Sequence, residues 1–135
     1  MPLPLKFVSR DAAAVLDALT VCLAQTDSRK VDRGTGFMPV HVECLRRSGL
    51  GLVYSVAHYY EQNGDLVPDP DVVFVHAAGG WTPISFQNSL AYRIAIHFHD
   101  DGTIEVDEKE QADLVSFCNN WMKNIRAQQG LAAKK

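Results

Sequence analysis

The sequence predicts an α+β domain: an antiparallel meander sheet of about five or six strands, with an N-terminal and a C-terminal helix packed mainly on one face. Apolar residues recur every three or four positions near both ends of the chain and every second position between residues 37 and 106. A run of strands between helices is typical of α+β domains. A chain of 135 residues is expected to form one domain, residues 1–135.

The first helix is predicted over residues 10–25. Ser9 suits the N-cap position, because its hydroxyl can accept from a free amide of the first turn. The apolar stripe of this helix comprises Ala12, Val15, Leu16, Leu19, Cys22 and Leu23. Residues 26–36 are polar and lack periodicity, which predicts a mobile loop. Residues 1–8 and 130–135 are expected to be frayed.

The strand region begins near Phe37, where the period changes to two. Residues 50–62 form the longest predicted strand, and both of its faces are fairly apolar, as in a central strand. The Asn63-Gly64 dipeptide predicts a tight hairpin, since both residues tolerate positive φ. Pro68 and Pro70 lack amide donors, so the returning strand is predicted to start late, over residues 72–76, or to lie on an edge.

Three further strands are predicted over residues 81–87, 92–99 and 103–106. Pro83 indicates that the first of these lies near an edge. Asp107 and Glu110 fit a capping box at the start of the closing helix. The buried stripe of that helix is Leu114, Cys118, Trp121, Met122 and Ile125. The three cysteines, Cys22, Cys44 and Cys118, are an odd number without CxxC spacing, which indicates buried reduced thiols and argues against a disulfide framework or structural zinc.

The charge is unevenly distributed. The net charge is −3, while residues 51–120 alone hold eleven acidic and two basic side chains. An acidic centre without a basic excess argues against direct nucleic-acid binding, and −3 is too weak a charge for a DNA mimic. No apolar run approaches the roughly 20 residues that a membrane helix needs. The first residues lack the pattern of a secretory signal, so a cytoplasmic location without membrane contact is expected.

One segment contains several side chains that could act in catalysis or bind a metal ion. An imidazole and four carboxylates fall within residues 58–71, and these residues with two aromatic side chains are the tentative binding set: His58, Tyr60, Glu61, Asp65, Asp69, Asp71 and Trp81. A general base beside carboxylates, or a divalent cation, would make a metal-dependent hydrolase. Turn preference explains Asp65 and Asp69 without catalysis. The absence of lysine between residues 30 and 109 weakens a nuclease interpretation.

His97 and His99 form a second candidate, for metal binding. Two histidines two positions apart on a strand share a face, and His41 or Glu43 could supply a third ligand. The predicted strand places both histidines opposite its apolar face, towards solvent. No catalytic residue, metal or cofactor is therefore assigned.

The run His58-Tyr59-Tyr60-Glu61-Gln62-Asn63-Gly64-Asp65-Leu66, followed by Asp69-Pro70-Asp71, resembles the motif HYYxQNGDLMxDPE of an uncharacterised bacterial family of plasmids, integrative elements and phages. The resemblance extends over about residues 38–90. Val67 and Asp71 depart from the motif, which more often has Met and Glu there. The resemblance implies an accessory protein of a mobile element, and it transfers no catalytic residue.

The sequence therefore favours a small non-enzymatic protein-binding factor of a mobile element, with a counter-defence or regulatory role. It would present an exposed sheet face or the acidic hairpin to an unidentified protein partner. The alternative is a metal-dependent hydrolase that uses the His58/Asp65/Asp69/Asp71 cluster or the His97/His99 pair. A third hypothesis is a homodimer through the mixed sheet face, centred on Val53, Ala57, Tyr59 and Ala95.

Overall fold

The computed structural model describes residues 3–32, 34 and 36–131. Two helices and eight strands follow one another in these segments. They are α1 (Arg10–Thr20), β1 (Ser28–Val31), β2 (Val40–Arg47), β3 (Leu52–Gln62), β4 (Asp65–Ala77), β5 (Gly80–Gln87), β6 (Tyr92–Ile94), β7 (Ile96–Phe98), β8 (Ile104–Val106) and α2 (Glu108–Gln128). Strands β1 to β6 form an antiparallel sheet in sequence order, and β7 and β8 form a second sheet. The predicted α+β meander is confirmed.

Helix α1 begins as predicted and ends five residues early. Ser9 Oγ accepts from the Ala12 amide at 3.2 Å, which confirms the predicted N-cap. The chain leaves the helix at Val21, and Cys22 has a φ of 60°. Cys22 is therefore exposed, and its predicted burial is wrong, whereas Cys44 and Cys118 are buried.

The predicted loop over residues 26–36 contains strand β1. Ser28 to Val31 pair with Glu43 to Val40, so β1 forms one edge of the large sheet. The strand has four residues and its burial alternates between exposed and half-buried, which is too little apolar pattern for sequence-based detection. Arg29 Nη1 donates to the Leu19 carbonyl at 2.8 Å, and its Nη2 donates to the Val21 carbonyl, so β1 also satisfies the end of α1. Two of the predicted loop residues, 33 and 35, lie outside the described segments.

Strand β4 starts directly after the turn, at Asp65, and not at residue 72 as predicted. An extra residue of β4 lies between the pairs Ala57/Asp71 and Tyr59/Pro68, which is a bulge in the segment that contains Pro70. Residues 65–70 pair with β3 and not with β5, whose last partner on β4 is Asp71. The prolines thus lie on an edge, as the second of the two predicted arrangements required.

The predicted strand over residues 92–99 is divided into β6 and β7. Ala95 separates them, and its amide donates to the Ile84 carbonyl at 2.7 Å. Among the described strands, β7 pairs only with β8. The β7–β8 pair packs on the sheet face opposite the helices, where it buries Val53, Val75, Ala77 and Ile84. Pro83 lies in the part of β5 that has no β6 partner, since β6 pairs with residues 85–87.

The main core lies between the helices and the large sheet. Side chains of α1, α2 and the even-numbered positions of β2 and β3 form it, together with Phe74 and Trp81. We call the sheet face that packs against the helices the helix face, and the opposite one the open face. None of the helices in the described segments is both long and apolar enough to cross a membrane.

Helix α2 has half of its predicted capping box. Asp107 Oδ1 accepts from the Glu110 amide at 3.1 Å, but the Asp107 amide donates to the Ala95 carbonyl. The Glu110 carboxylate instead receives two hydrogen bonds from Arg93 of β6, at 2.8 and 3.0 Å. This bidentate pair links α2 to the last strand of the large sheet.

The chain ends are partly ordered where fraying was expected. The Val8 amide donates to the Trp81 carbonyl, and the Thr82 hydroxyl donates to the Lys6 carbonyl, so this segment lies along β5. Gln111 Oε1 accepts from the Lys6 amide at 2.6 Å. At the other end, Leu131 donates to the Arg126 carbonyl. Residues 1–2 and 132–135 lie outside the described segments.

Candidate functional site

The motif segment forms a two-stranded arm. Asn63 and Gly64 have φ values of 53° and 85° between the paired residues Gln62 and Asp65, so the predicted tight turn is confirmed. Strand β2 pairs with β3 no further than Ala57, and β5 pairs with β4 from Asp71 onward. Within the part of the chain that the structure describes, residues 58–70 therefore pair only with one another. We call them the arm.

The base of the arm is held on both sheet faces. On the helix face, His58 is buried, its Nδ1 lies 3.0 Å from the Pro39 carbonyl oxygen, and its ring packs edge-to-face on Trp121. On the open face, Asp71 Oδ1 accepts from Ser55 Oγ at 2.6 Å. His58 and Asp71 thus lie on opposite sides of the sheet and do not converge.

The rest of the predicted cluster is dispersed along the arm. Glu61, Asp65 and Asp69 are exposed, and Tyr60 is half-buried opposite Val67. Next to the turn, Leu66 is 70% exposed although it is an aliphatic side chain. The arm tip therefore combines carboxylates with a solvent-exposed apolar group.

Trp81, the remaining predicted binding residue, lies in the core. It is 2% exposed, and its indole Nε1 donates to Asp17 Oδ1 at 2.9 Å. Its ring contacts Tyr54 and stacks on His76, with ring centroids 4.6 Å apart. These contacts hold the indole ring of Trp81 in the core.

The open face presents two rows of side chains across all six strands. Paired residues of neighbouring antiparallel strands point to the same face, so the register defines each row. The first row is Lys30, His41, Ala57, Asp71, Gln87 and Tyr92, and the second is Ser28, Glu43, Ser55, Val73, Ser85 and Ile94. Polar residues predominate in both rows, in contrast to the helix face.

Burial changes the proton affinity of three groups on this face. It raises the pKa of the Asp71 carboxyl, and the hydrogen bond from Ser55 partly opposes that effect. Burial also raises the pKa of Tyr59, with a smaller contribution from Asp71 and Glu43. Burial lowers the pKa of His41, and Lys30 and His58 add to the effect. Perturbed groups of this kind occur both at functional sites and in structural networks.

A groove of about 430 Å³ crosses the open face beside β7. It extends from β6 to the end of β2 and is lined by Leu45, Arg46, Val53, Val73, Ile84, Ser85, Tyr92, Ile94, Ile96, His97, Phe98 and His99. A separate depression of about 210 Å³ lies over β1 to β3 and includes His41, Glu43, Ser55 and Tyr59.

The histidine pair lines this groove. The rings of His97 and His99 stack with centroids 6.3 Å apart, and His99 Nε2 lies 3.2 Å from Glu105 Oε1. His41 and Glu43 line the other depression, so they do not complete a set of metal ligands with the pair. Within residues 3–32, 34 and 36–131, no group of three or more His, Cys, Asp or Glu side chains is placed to hold a metal ion.

The predicted centre of a homodimer is mostly buried within one chain. Val53, Ala57 and Ala95 have no exposed surface, and Tyr59 is half-buried with its ring edge-to-face on His41. The β7–β8 pair covers Val53. The alternation through residues 92–99 gives no sign that β7 separates from β6 and covers part of this face.

Two candidate functional residues, Ser55 and Arg46, were not predicted from the sequence. The sequence does show Ser55 as a hydroxyl within an apolar strand, but its partner Asp71 is sixteen residues further along the chain, after the hairpin turn and the bulge of β4. Arg46 lies beside a register shift of β2, and alternation alone cannot assign its face.

The sequence of residues 12–131 matches a known family, described as a domain of unknown function (DUF6908). No curated protein and no solved structure gave a significant match to the chain. The matched segment includes both helices from Ala12 onward, all eight strands, the arm and the groove. The chain therefore belongs to the DUF6908 family.

Proposed function

We propose that this chain is a non-enzymatic protein-binding factor and that the arm is its docking element. The observation that carries the proposal is the arm itself: residues 58–70 extend past the neighbouring strands and expose Leu66 among carboxylates. The motif resemblance supports an accessory role on a mobile element, with counter-defence or regulation as the biological setting.

The arm is pre-organised for binding. The Asn63-Gly64 turn sets its register, and four residue pairs, from Tyr59/Pro68 to Gln62/Asp65, continue the ladder. The contacts of His58 and Asp71 hold its base on two faces. A rigid element loses less conformational entropy on binding than a disordered loop does.

The chemistry of the arm indicates the kind of partner. Residues 58–71 contain four carboxylates and no lysine or arginine. Acidic groups around an apolar side chain suit a partner surface with basic residues around an apolar pocket. The carboxylates would accelerate association with such a partner, and Leu66 would supply apolar surface that becomes buried in the interface.

The hydrolase alternative receives less support from this geometry. His58 is buried on the helix face, Asp71 is bonded to Ser55 on the open face, and Asp65 is at the turn. A general base and carboxylates need a common reacting atom within hydrogen-bond reach. The arrangement of these described side chains provides no such point.

Site-specific photo-crosslinking tests the proposal. A photoreactive amino acid replaces Leu66 in a tagged chain expressed in its natural host, and a second chain carries it at Leu90, a matched aliphatic position that is 91% exposed in the β5–β6 turn. The proposal predicts one discrete adduct from position 66 and none from position 90.

Charge variants provide a second test of the proposal. The adduct should be lost with Asp65→Asn/Asp69→Asn and retained with Asp100→Asn/Glu108→Gln, which removes two exposed carboxylates elsewhere. Asp71 is left unchanged because its bond to Ser55 supports the fold. Equal adducts at positions 66 and 90, or adducts that survive loss of the arm carboxylates, would contradict the proposal.

A further inference from the structure

The groove beside β7 is a separate feature from the arm. Its lining residues come from β2 to β7 and the residue that follows β7, and none belongs to residues 58–70. We propose that the groove is a binding site for a small amphipathic carboxylate, a molecule with an apolar body and one carboxylate group. This assignment does not depend on the proposed function of the arm.

The floor of the groove suits an apolar body. Val53, Ile84 and Ile96 are at most 6% exposed, and they form part of the smaller hydrophobic cluster. Ile94 and Val73 extend this apolar surface along the sheet. A volume of about 430 Å³ falls within the range of about 300–1,000 Å³ that is typical of small-molecule sites.

One end of the groove suits an anion. Arg46 pairs with Val53 of the open face, and its guanidinium carbon lies 5.2 Å from the centroid of the Phe98 ring. This contact orients the guanidinium, which forms no salt bridge with any of the residues that the structure describes. A guanidinium can donate two parallel hydrogen bonds to a carboxylate.

The remaining polar lining is compatible with an anion. His97, His99, Ser85 and Tyr92 can each donate a hydrogen bond, and none of the described residues that line the groove is an aspartate or glutamate. The Glu105 carboxylate is outside this lining and contacts the exposed His99, with its Oε1 3.2 Å from His99 Nε2. This lining contrasts with residues 51–120 as a whole, where eleven side chains are acidic and two are basic.

Three eight-carbon probes test the assignment: octanoate, 1-octanol and octylammonium. Titrations followed by amide NMR shifts should give saturable octanoate binding with shifts at Val73, Ile94 and Phe98. Octanoate should bind at least about tenfold more tightly than 1-octanol, as one charge-assisted hydrogen bond predicts. Octylammonium should bind more weakly than either.

Two adjacent arginines provide a matched pair of variants. Arg46→Gln should weaken octanoate binding about tenfold and leave 1-octanol binding unchanged. Arg47→Gln is the control, because Arg47 pairs with Leu52, whose side chain packs on the helix face. Equal affinity for octanoate and 1-octanol, equal effects of the two variants, or shifts confined to residues outside the groove would overturn the proposal.

Discussion

Ser55 Oγ donates a 2.6 Å hydrogen bond to Asp71 Oδ1 on the open face, at the base of the arm. The two residues belong to neighbouring rows of the sheet, and the bulge of β4 begins directly beside Asp71. The bond thus ties β3 to β4 at the point where the regular ladder ends. It also gives a half-buried carboxylate a hydrogen-bond donor, which offsets part of the cost of removing that charge from water.

Removal of this donor should destabilise the fold. Ser55→Ala is expected to reduce the free energy of unfolding by about 1.5–3 kcal/mol at neutral pH, the range for a hydrogen bond to a charged group. In an Asp71→Asn background, the same change should cost only about 0.5–1.5 kcal/mol, because the acceptor is then neutral. Urea denaturation of the four chains measures this coupling, and equal costs in both backgrounds would contradict it.

The Asp71 carboxyl should also make stability depend on pH. Burial raises its pKa in the folded state above the unfolded value. The contribution of the Asp71 carboxyl to the free energy of unfolding is therefore fully present below its unfolded pKa of about 3.9. This contribution is lost as the pH rises through its folded pKa. Relative to wild type, Asp71→Asn should gain stability as the pH rises through this window. Denaturation at several pH values measures the difference, and a constant difference would disprove the prediction.

The sequence predicted the parts of the fold that depend on local signals. Ser9 and Asp107 begin helices through their own side chains, and Asn63-Gly64 forms its turn with φ values that few other dipeptides adopt. Local pattern could not predict β1, which is too short and polar. It also could not divide residues 92–99, because the alternation continues through the break at Ala95 while the pairing partner changes.

The candidate site was less predictable than the fold. Proximity in sequence suggested that His58 and Asp71 act together, but alternate faces of one hairpin separate them. The groove depends on β7 packing across the open face, so Arg46 and Phe98 meet although they are far apart in sequence. Such contacts are set by tertiary packing, and a strand pattern contains no information about them.

Cysteine reactivity should distinguish the exposed thiol from the buried ones. Cys22 is exposed, whereas Cys44 and Cys118 have no exposed surface, and burial raises the pKa of Cys118. A thiol-specific chromogenic reagent should therefore modify a single cysteine rapidly in the native protein and two more after denaturation. Cys22→Ser should abolish the rapid phase. A rapid phase that persists in this variant would show that a second thiol is accessible.

Gln111 should be the most sensitive polar residue of α2. It is fully buried, its Nε2 donates to Thr82 Oγ1 and the Pro83 carbonyl, and its Oε1 accepts from the Lys6 amide. Gln111→Leu leaves the buried Thr82 hydroxyl and Pro83 carbonyl, and the partly buried Lys6 amide, without this partner, and it should cost about 2–4 kcal/mol in urea denaturation. Asn120→Ala, an exposed position of the same helix, should change stability by less than about 0.5 kcal/mol. Similar losses for both variants would contradict this role.

Gly51 should tolerate no side chain. Its φ is +146°, and a Cβ atom at this position would lie 2.1 Å from the His76 carbonyl oxygen. Since Leu52 pairs with His76, relief of this contact would require β3 and β4 to separate. Gly51→Ala is therefore expected to cost more than about 3 kcal/mol, from strain and overpacking together.

Gly102 provides the control for this prediction, because it has a φ of +88° and a Cβ atom added there would lie more than 4 Å from the residues that the structure describes, other than its two chain neighbours. Gly102→Ala should thus report backbone strain alone, about 1–2 kcal/mol. Thermal and urea denaturation of the two variants separate the contributions of strain and contact. If the two variants lose similar stability, the close contact between residue 51 and the His76 carbonyl does not constrain the β3–β4 pair. The start of β3 would then adjust to a side chain at residue 51 more easily than its geometry indicates.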